Sequence, residues 1–489
     1  EAVSMVPPLA LKVEPQHFCL DMCASPGSKT SQLLEIVNKS ASSPPEQQGL
    51  VVANDADTDR AYMLVHQCRR ITSPFLVVTT HNGQDFPVLS PADPSTGRGF
   101  FDRVLCDVPC SGDGTVRKNP PLWDKWATHS SITLHPLQIA ITKRGSQLTK
   151  DGGLLTYSTC SMSPYENESV VAELLRSSQG TLELVDPREW IHGFKCRPGI
   201  RSWYVLDDRG IAHKRKASEK LKMQRDKEAE EASEMKLAGR EGDVDLKSNE
   251  DAKGEEAKSE PETQSDLPDD PYLKACVDMG FYWYKSFDDV REAMEDYRNP
   301  KAISAKMIRR THFPPTEEEA NWMHLERCMR CVPHDEDTGG FFVATFRKIA
   351  KAPKPPKAEK TAQAIPTLSN DEPAADEGIC KEKFEHQKAQ KQLVSYTKWD
   401  EDQYNQAASL YNFSDLVSKD SLYVREDFSH VPQTGKNAPK PGNESHSRSV
   451  FYIPKPIQKL MDASSKINLK MVVQGTKVME RRKGSSLAT

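Results

Sequence analysis

The sequence predicts an open α/β sheet with crossover helices. Five short apolar runs, at residues 18–22, 50–53, 75–78, 103–106 and 153–157, each end in a polar or small residue. Runs of that length and character are what strands buried on both faces look like. Longer amphipathic stretches at 28–37, 58–70, 133–149 and 166–177 lie between and after them. Strand alternating with helix calls for crossover connections in one sheet. In such a sheet ligands bind off the carboxyl ends of the strands, and the informative residues of this chain follow those ends.

Composition bounds the rest. The 489 residues leave room for two or three domains, with 66 basic and 71 acidic residues, 7% aromatics and 34 prolines. No run of 18 apolar residues occurs, which excludes a helical membrane span. Eleven cysteines are too sparse for a disulfide scaffold and read as reduced thiols. The chain opens at Glu1 without Met and so reads as a piece of a longer protein, and the lack of a signal peptide says nothing about the whole. Residues 214–270 hold 12 basic and 18 acidic residues and no aromatic. They bury too little apolar surface to offset ordering and are expected to be a disordered, partly helical insert, assigned as 212–270. With a net charge of −5 overall and −6 in that insert, the remainder carries +1, so the acidic total does not argue against a nucleic-acid partner. A Pro- and Lys-rich stretch opens a flexible linker at 351–405.

The first apolar run leads through Asp21-Met22-Cys23-Ala24-Ser25-Pro26-Gly27-Ser28-Lys29-Thr30 into a helix. Small residues and one glycine let the backbone approach a ligand, and a helix N-terminus offers free N–H groups. Neither the phosphate-cradling nor the three-glycine dinucleotide pattern fits, because Ser28 separates Gly27 from Lys29 and no earlier glycine is present. The second run ends in Asn54-Asp55, where a carboxylate normally receives a ribose diol. Asp55 could instead cap the next helix, a task Asp57 could also fill. The third run ends near Thr80-His81-Asn82 and the fourth in Asp107. Four polar strand tips around one crevice suit an adenosine-containing cofactor, and S-adenosylmethionine is favoured because no phosphate pattern accompanies them.

Two cysteine motifs follow the fourth and fifth runs: residues 107–115, with Cys110 after Pro109, and Ser158-Thr159-Cys160-Ser161. A lone cysteine at a strand end is more often a small buried hydrophobe than a nucleophile. Two at adjacent strand tips beside a methyl donor suit methylation of a pyrimidine C5. That carbon is a poor nucleophile until a thiolate adds to C6. A carboxylate near N3 then favours the adduct. One thiol attacks and the other assists release; the residues alone do not say which.

These stretches resemble the Sun-domain (RsmB/Nop family) RNA cytosine-5 methyltransferases, and within them the tRNA-modifying eukaryotic group. The matching segments are residues 1–9, 20–30, 64–67, 106–115, 157–161 with Pro164, 325–328 and 338–344. The resemblance implies a Rossmann-like, mostly parallel seven-stranded sheet with helices on both faces, in a catalytic domain at 1–350. It implies that Cys23, Ala24, Ser25, Pro26, Gly27, Ser28 and Lys29 form the S-adenosylmethionine loop, that Asp55 holds the ribose, and that Asp107 faces both cofactor and cytosine. It also decides between the thiols, making Cys160 the nucleophile on C6 and Cys110 the releasing thiol. Where the family usually has an adenine-binding Asp, this sequence has Asn82, whose side-chain oxygen can still accept a hydrogen bond. The implied partner is RNA, above all tRNA, acted on by a monomer in the nucleus or nucleolus, with the cytoplasm as the alternative, and with no metal. Methylation of rRNA or another RNA, or an RNA-binding scaffold with weakened catalysis, are the alternatives.

Other features carry less. His324, Cys328, Cys331 and His334 are too closely spaced for a usual zinc site, and Trp322, Leu325 and Met329 read as one amphipathic helix ended by Pro333. A last antiparallel strand is expected at 340–347. Lys214-Arg215-Lys216 has the form of a nuclear import signal, a triplet common by chance. Arg197, Arg201, Arg309 and Arg310 are candidates for phosphate contacts. Residues 406–489 are expected to open a C-terminal RNA-binding, PUA-like region that stops before it could close.

Overall fold

A computed structural model describes residues 2–89, 99–211, 214–216, 218–219, 222–223, 267–295, 301–350, 395–411, 418–426, 449–464, 469–481 and 487–488. Most of the expected insert and residues 351–394 of the expected linker lie outside them.

The five expected strands form, as β1 (Phe18–Asp21), β2 (Leu50–Asn54), β3 (Leu76–Thr79), β4 (Phe101–Asp107) and β5 (Thr149–Thr159). They are followed by β6 (Leu182–Val185), β7 (Arg197–Pro198), β8 (Val205–Asp207), β9 (Tyr282–Tyr284), β10 (Met329–Cys331) and β11 (Phe341–Lys348). The tail adds β12 (Ser395–Lys398), β13 (Leu422–Glu426), β14 (Ser449–Tyr452), β15 (Met471–Gln474), β16 (Thr476–Arg481) and β17 (Leu487–Ala488). The main sheet runs β15-β3-β2-β1-β4-β5-β11-β10-β7, with β6 also on β11. Strands β3-β2-β1-β4-β5 are parallel, and β11 lies antiparallel to β5. With β11 and β6 these make the seven strands expected; β7, β10 and β15 extend the sheet to ten.

Helices cover both faces, as a parallel sheet requires. Alternate residues choose the face: Leu20, Val52 and Val77 join one core cluster, while Cys19, Val51 and Val78 join the other. Helices α1 (Val6–Ala10), α2 (Ser28–Val37), α3 (Thr58–Cys68), α4 (Leu122–Lys125), α5 (Thr128–Leu148) and α6 (Glu168–Ser178) come from the first 178 residues. Leu33, Leu34 and Leu64 bring α2 and α3 to the second cluster; Ile141, Val170 and Leu174 bring α5 and α6 to the first. Helix α5 starts earlier than its apolar pattern suggested and contains Pro136. That proline cannot donate to the carbonyl of Ile132, and the ring of His312 lies 3.3 Å from that oxygen instead.

The helix expected across 322–329 is corrected. A helix at Glu317–Met323, opened by a Thr316/Glu319 capping box, ends at His324 in the left-handed region with φ 54°. The chain then turns and becomes β10, because pairing with β11 and β7 outweighs the short helical pattern. Cys328 and Cys331 are buried in apolar clusters, whereas His334 is exposed beside Arg197 and Asp335. Arg197 donates through Nε and Nη2 to Asp335, and Arg201 donates to the carbonyl of Ala320.

The tail forms a five-stranded sheet, β12-β13-β14-β16-β17, starting inside the stretch read as linker. Its helix Lys455–Ser464 packs Ile457 and Leu460 into the same cluster as Leu50 and Phe100 of the main domain.

Candidate active site

The loop from β1 to α2 is tied down from three sides. Ala24 N–H donates to Asn54 O, Ser25 N–H to the Asp55 carboxylate, and the Arg60 guanidinium to Ser25 O. Gly27 sits at φ 109°, and a Cβ there would stand 2.7 Å from Leu64 Cδ1. The glycine is therefore needed both for its backbone and for the close approach of α3. Thr30 Oγ1 donates to Asp21 Oδ2 at 2.7 Å, while Asp21 Oδ1 is buried with no partner. Burial raises the Asp21 pKa to about 7. Burial likewise pushes the Cys23 thiol up, so this cysteine is a neutral wall of the loop.

Asp57, not Asp55, caps α3, accepting from Asp59 N and Arg60 N. Asp55 is 3% exposed; one oxygen accepts Ser25 N–H and the other Asp57 N–H. Its neighbour Asn54, wholly buried, does work the sequence did not reveal. Its amide nitrogen donates to Met22 O and His81 O, and its oxygen accepts from Thr79 Oγ1 and His81 N. One side chain thus joins the tips of β1, β2 and β3. Asn82 is exposed, and its amide nitrogen donates to Asp85 at 3.3 Å. That bond uses the amide nitrogen and not the amide oxygen.

Lys29 departs from its loop. Its Nζ lies 2.8 Å from Asp107 Oδ2 and 5.0 Å from the Phe341 ring centroid. Asp107 also accepts from Ser158 Oγ at 2.7 Å. The carboxylate at the tip of β4 is therefore held by a cation from β1's loop and a hydroxyl from β5.

Beyond β4 and β5 the two cysteines meet, with Cys110 Sγ and Cys160 Sγ 3.2 Å apart. A hydrogen bond between them lowers the Cys160 pKa from the usual thiol range, and the Lys29 charge acts the same way. The same bond raises Cys110, with burial and the Glu166 carboxylate adding to it. The two sulfurs are thus inequivalent: the shared proton is held more firmly by Cys110, and Cys160 is the more acidic thiol of the pair.

Three buried polar groups after Cys160 hold this geometry, and sequence reasoning passed over them as a helix start. Glu166 accepts Ser111 N–H at 2.9 Å, fixing the residue after Cys110, and Gln138 donates to Pro109 O at 2.9 Å. Burial raises the Glu166 pKa. Asn167 accepts from Thr159 Oγ1 and donates to Ser161 O, bracketing Cys160. Glu168 pairs with Arg330, which also donates to Met162 O. The one signal available was a run of three polar residues, Glu166-Asn167-Glu168, starting six positions after Cys160.

Gly114 explains the glycine of the first motif. Its N–H donates to Cys160 O, and a Cβ there would lie 2.7 Å from that oxygen and 2.6 Å from Gly340 O. Both obstacles are backbone. Gly114→Ala is expected to displace the Cys160 loop and cut turnover by roughly 100-fold, as an error near 1 Å does. Steady-state kinetics would check this, and activity within threefold of the parent would refute the packing.

Residues 8–199 match the family described as 16S rRNA methyltransferase RsmB/F. A multisite-specific tRNA:(cytosine-C(5))-methyltransferase of Schizosaccharomyces pombe is 36% identical over 367 residues, covering 71% of this chain and 42% of that protein. The protein of that function from Saccharomyces cerevisiae is 35% identical over 376 residues, covering 76% and 42%. A tRNA (cytosine(34)-C(5))-methyltransferase of Drosophila melanogaster is 36% identical over 350 residues, covering 71% and 36%. The chain thus spans about two-fifths of the length of these relatives.

Proposed function

We propose, for a chain that belongs over residues 8–199 to the RsmB/F methyltransferase family, S-adenosylmethionine-dependent methylation of cytosine C5 in RNA, with tRNA as substrate. The observation that carries this reading is the close pair Cys160–Cys110 at 3.2 Å beside the Lys29–Asp107 ion pair. The tRNA substrate rests on the activities named for the yeast and fly relatives.

The residues present fit the cofactor. Gly27 leaves no side chain over the turn into α2, whose first N–H groups have no intrahelical acceptor. Each Asp55 oxygen accepts one hydrogen bond and retains a lone pair for a ribose hydroxyl. Asn82 offers its amide oxygen to the adenine amino group. When bound, S-adenosylmethionine supplies an electrophilic methyl group from its sulfonium.

The protein's own groups do the rest. The Cys160 sulfur donates its electron pair to cytosine C6, the C5=C6 π pair shifts towards C4 and N3, and the resulting enamine is nucleophilic at C5. Asp107, fixed by Lys29 and Ser158, stands to hydrogen bond the pyrimidine N3 edge and stabilise the adduct. After C5 is methylated, its proton passes to a base, the C5–H pair re-forms C5=C6, and the C6–S pair returns to Cys160. The Cys110 S–H that lowers the Cys160 pKa also makes that sulfur the better leaving group.

A pH dependence follows. The thiolate is the attacking form, so adduct formation rises with pH through the Cys160 pKa and then levels. In the parent protein that limb lies below the usual thiol range. Cys110→Ala removes the S–H donor, raises the Cys160 pKa and should move the limb to higher pH. Rates of adduct formation with 5-azacytidine-substituted RNA would show it; a shift to lower pH would contradict the polarity assigned to the pair. The reading as a whole is tested by bisulfite sequencing of tRNA incubated with the full-length protein and S-adenosylmethionine. Protected cytosines are expected, and complete conversion of every cytosine would refute it.

A further inference from the structure

The free edge of the parallel sheet is β3, and the chain covers it from a distance of almost 400 residues. Strand β15 pairs antiparallel with β3, with Met471 opposite Thr79, Val473 opposite Val78 and Gln474 opposite Val77. Val472 is buried in the cluster that holds Leu76 and Val78, and Leu469 in the opposite one. Pairing alone would be a way of blunting an edge. Two further bonds reach past the strand into the crevice: Thr80 N–H donates to Lys470 O at 3.0 Å, and Lys470 N–H donates to His81 Nε2 at 2.9 Å.

His81 is the residue between the strand tip and Asn82. Its own backbone is clamped by Asn54 on both sides, and its ring meets Phe86 edge-on at 5.5 Å. Burial, with the Lys470 charge, lowers the His81 pKa to about 4. The ring is therefore neutral near pH 7 and Nε2 is a standing acceptor for the tail's amide. Four bonds thus fix His81 and Thr80, and two of the four come from the tail.

We infer that the tail segment 469–474 is a working part of the cofactor site: docked on β3, it sets through His81 the position of the Asn82 loop and so the affinity for the adenosine moiety. This rests on the reading of Asp55 and Asn82 as cofactor ligands. Lys470 and His81 act through Asn82 and are positioning residues. The consequence is that the C-terminal module, hundreds of residues away from the chemistry along the chain, governs how well the methyl donor is held.

The test measures S-adenosylhomocysteine binding by calorimetry on the full chain. Val472→Asp places a charge in the buried face of β15 and should undock it. The Thr80 amide should lose protection from hydrogen exchange, and affinity should fall about fivefold or more, the worth of one hydrogen bond. His81→Phe keeps the ring packing but removes the acceptor and should weaken binding by a similar factor. His81→Gln returns an acceptor near the Nε2 position and should bring affinity back to within about twofold. A purely structural role for the tail would lower the melting temperature without separating His81→Phe from His81→Gln. Equal affinity in those two, or unchanged affinity on undocking, would overturn the inference, and the His81 pair keeps it open to refutation if Val472→Asp fails to fold. Asp55→Ala separates the two levels. If it too leaves affinity unchanged, the cofactor reading itself is wrong; if it alone weakens binding, only the role of the tail is.

Discussion

Cys160→Ala is expected to abolish methylation altogether, together with every covalent RNA adduct. Cytosine C5 has no useful nucleophilicity until C6 carries a thiolate, so no slower route remains. Cys110→Ala should behave in the opposite sense. Attack by Cys160 survives, at the higher pH limb described above. The departing sulfur has lost its S–H partner, so release stalls and protein accumulates on ordinary RNA. Denaturing electrophoresis with unmodified tRNA should show a slow band for Cys110→Ala and none for the parent, Cys160→Ala or the double variant. If Cys110 only packed beneath its loop, the variant would instead be a less stable enzyme with proportionally lower activity and no band.

Arg330→Met should produce the largest loss of stability. Glu168 is wholly buried and Arg330 is 9% exposed, and their nearest N–O distances are near 2.6 Å. Among the described residues, taking away the guanidinium leaves a buried carboxylate with the Ile200 N–H alone for compensation, and orphans Met162 O. Breaking one side of such a pair costs about 3–5 kcal/mol. In a domain of this size that lowers the melting temperature by roughly 10 °C. Glu168→Gln/Arg330→Met removes the stranded charge and should regain much of the loss. Calorimetric melts of the single and double variants check this, and a single-variant loss under about 1 kcal/mol would mean that the carboxylate is hydrated rather than buried.

What could be read from the sequence was what is local. The apolar runs gave the parallel strands because both faces are covered, so each run is continuously apolar. The turn from β1 into α2 and both cysteine motifs were legible because strand, turn and polar side chain lie within ten residues of each other. What stayed hidden depends on contacts between distant segments. Lys29 follows the β1–α2 turn by sequence, yet its long side chain crosses to Asp107, 78 positions on. Glu166, Asn167 and Glu168 looked like acidic and polar residues opening a helix; their burial is decided by Ser111, Thr159 and Arg330. The helix expected across 322–329 failed for the same reason, since three residues of β-pairing with β11 outweigh a helical pattern of that length. Nothing near β3 announced that residues 471–474 would complete its edge.

The central claim is that Cys160, not Cys110, bonds to C6 of the target cytosine. The most direct measurement traps the adduct on 5-azacytidine-substituted tRNA, digests protein and RNA, and locates the nucleotide by mass spectrometry. The polarity of the thiol pair predicts the modification on the peptide containing Cys160, with Cys110 unmodified. A nucleotide on Cys110, or on neither thiol while methylation proceeds, would contradict it.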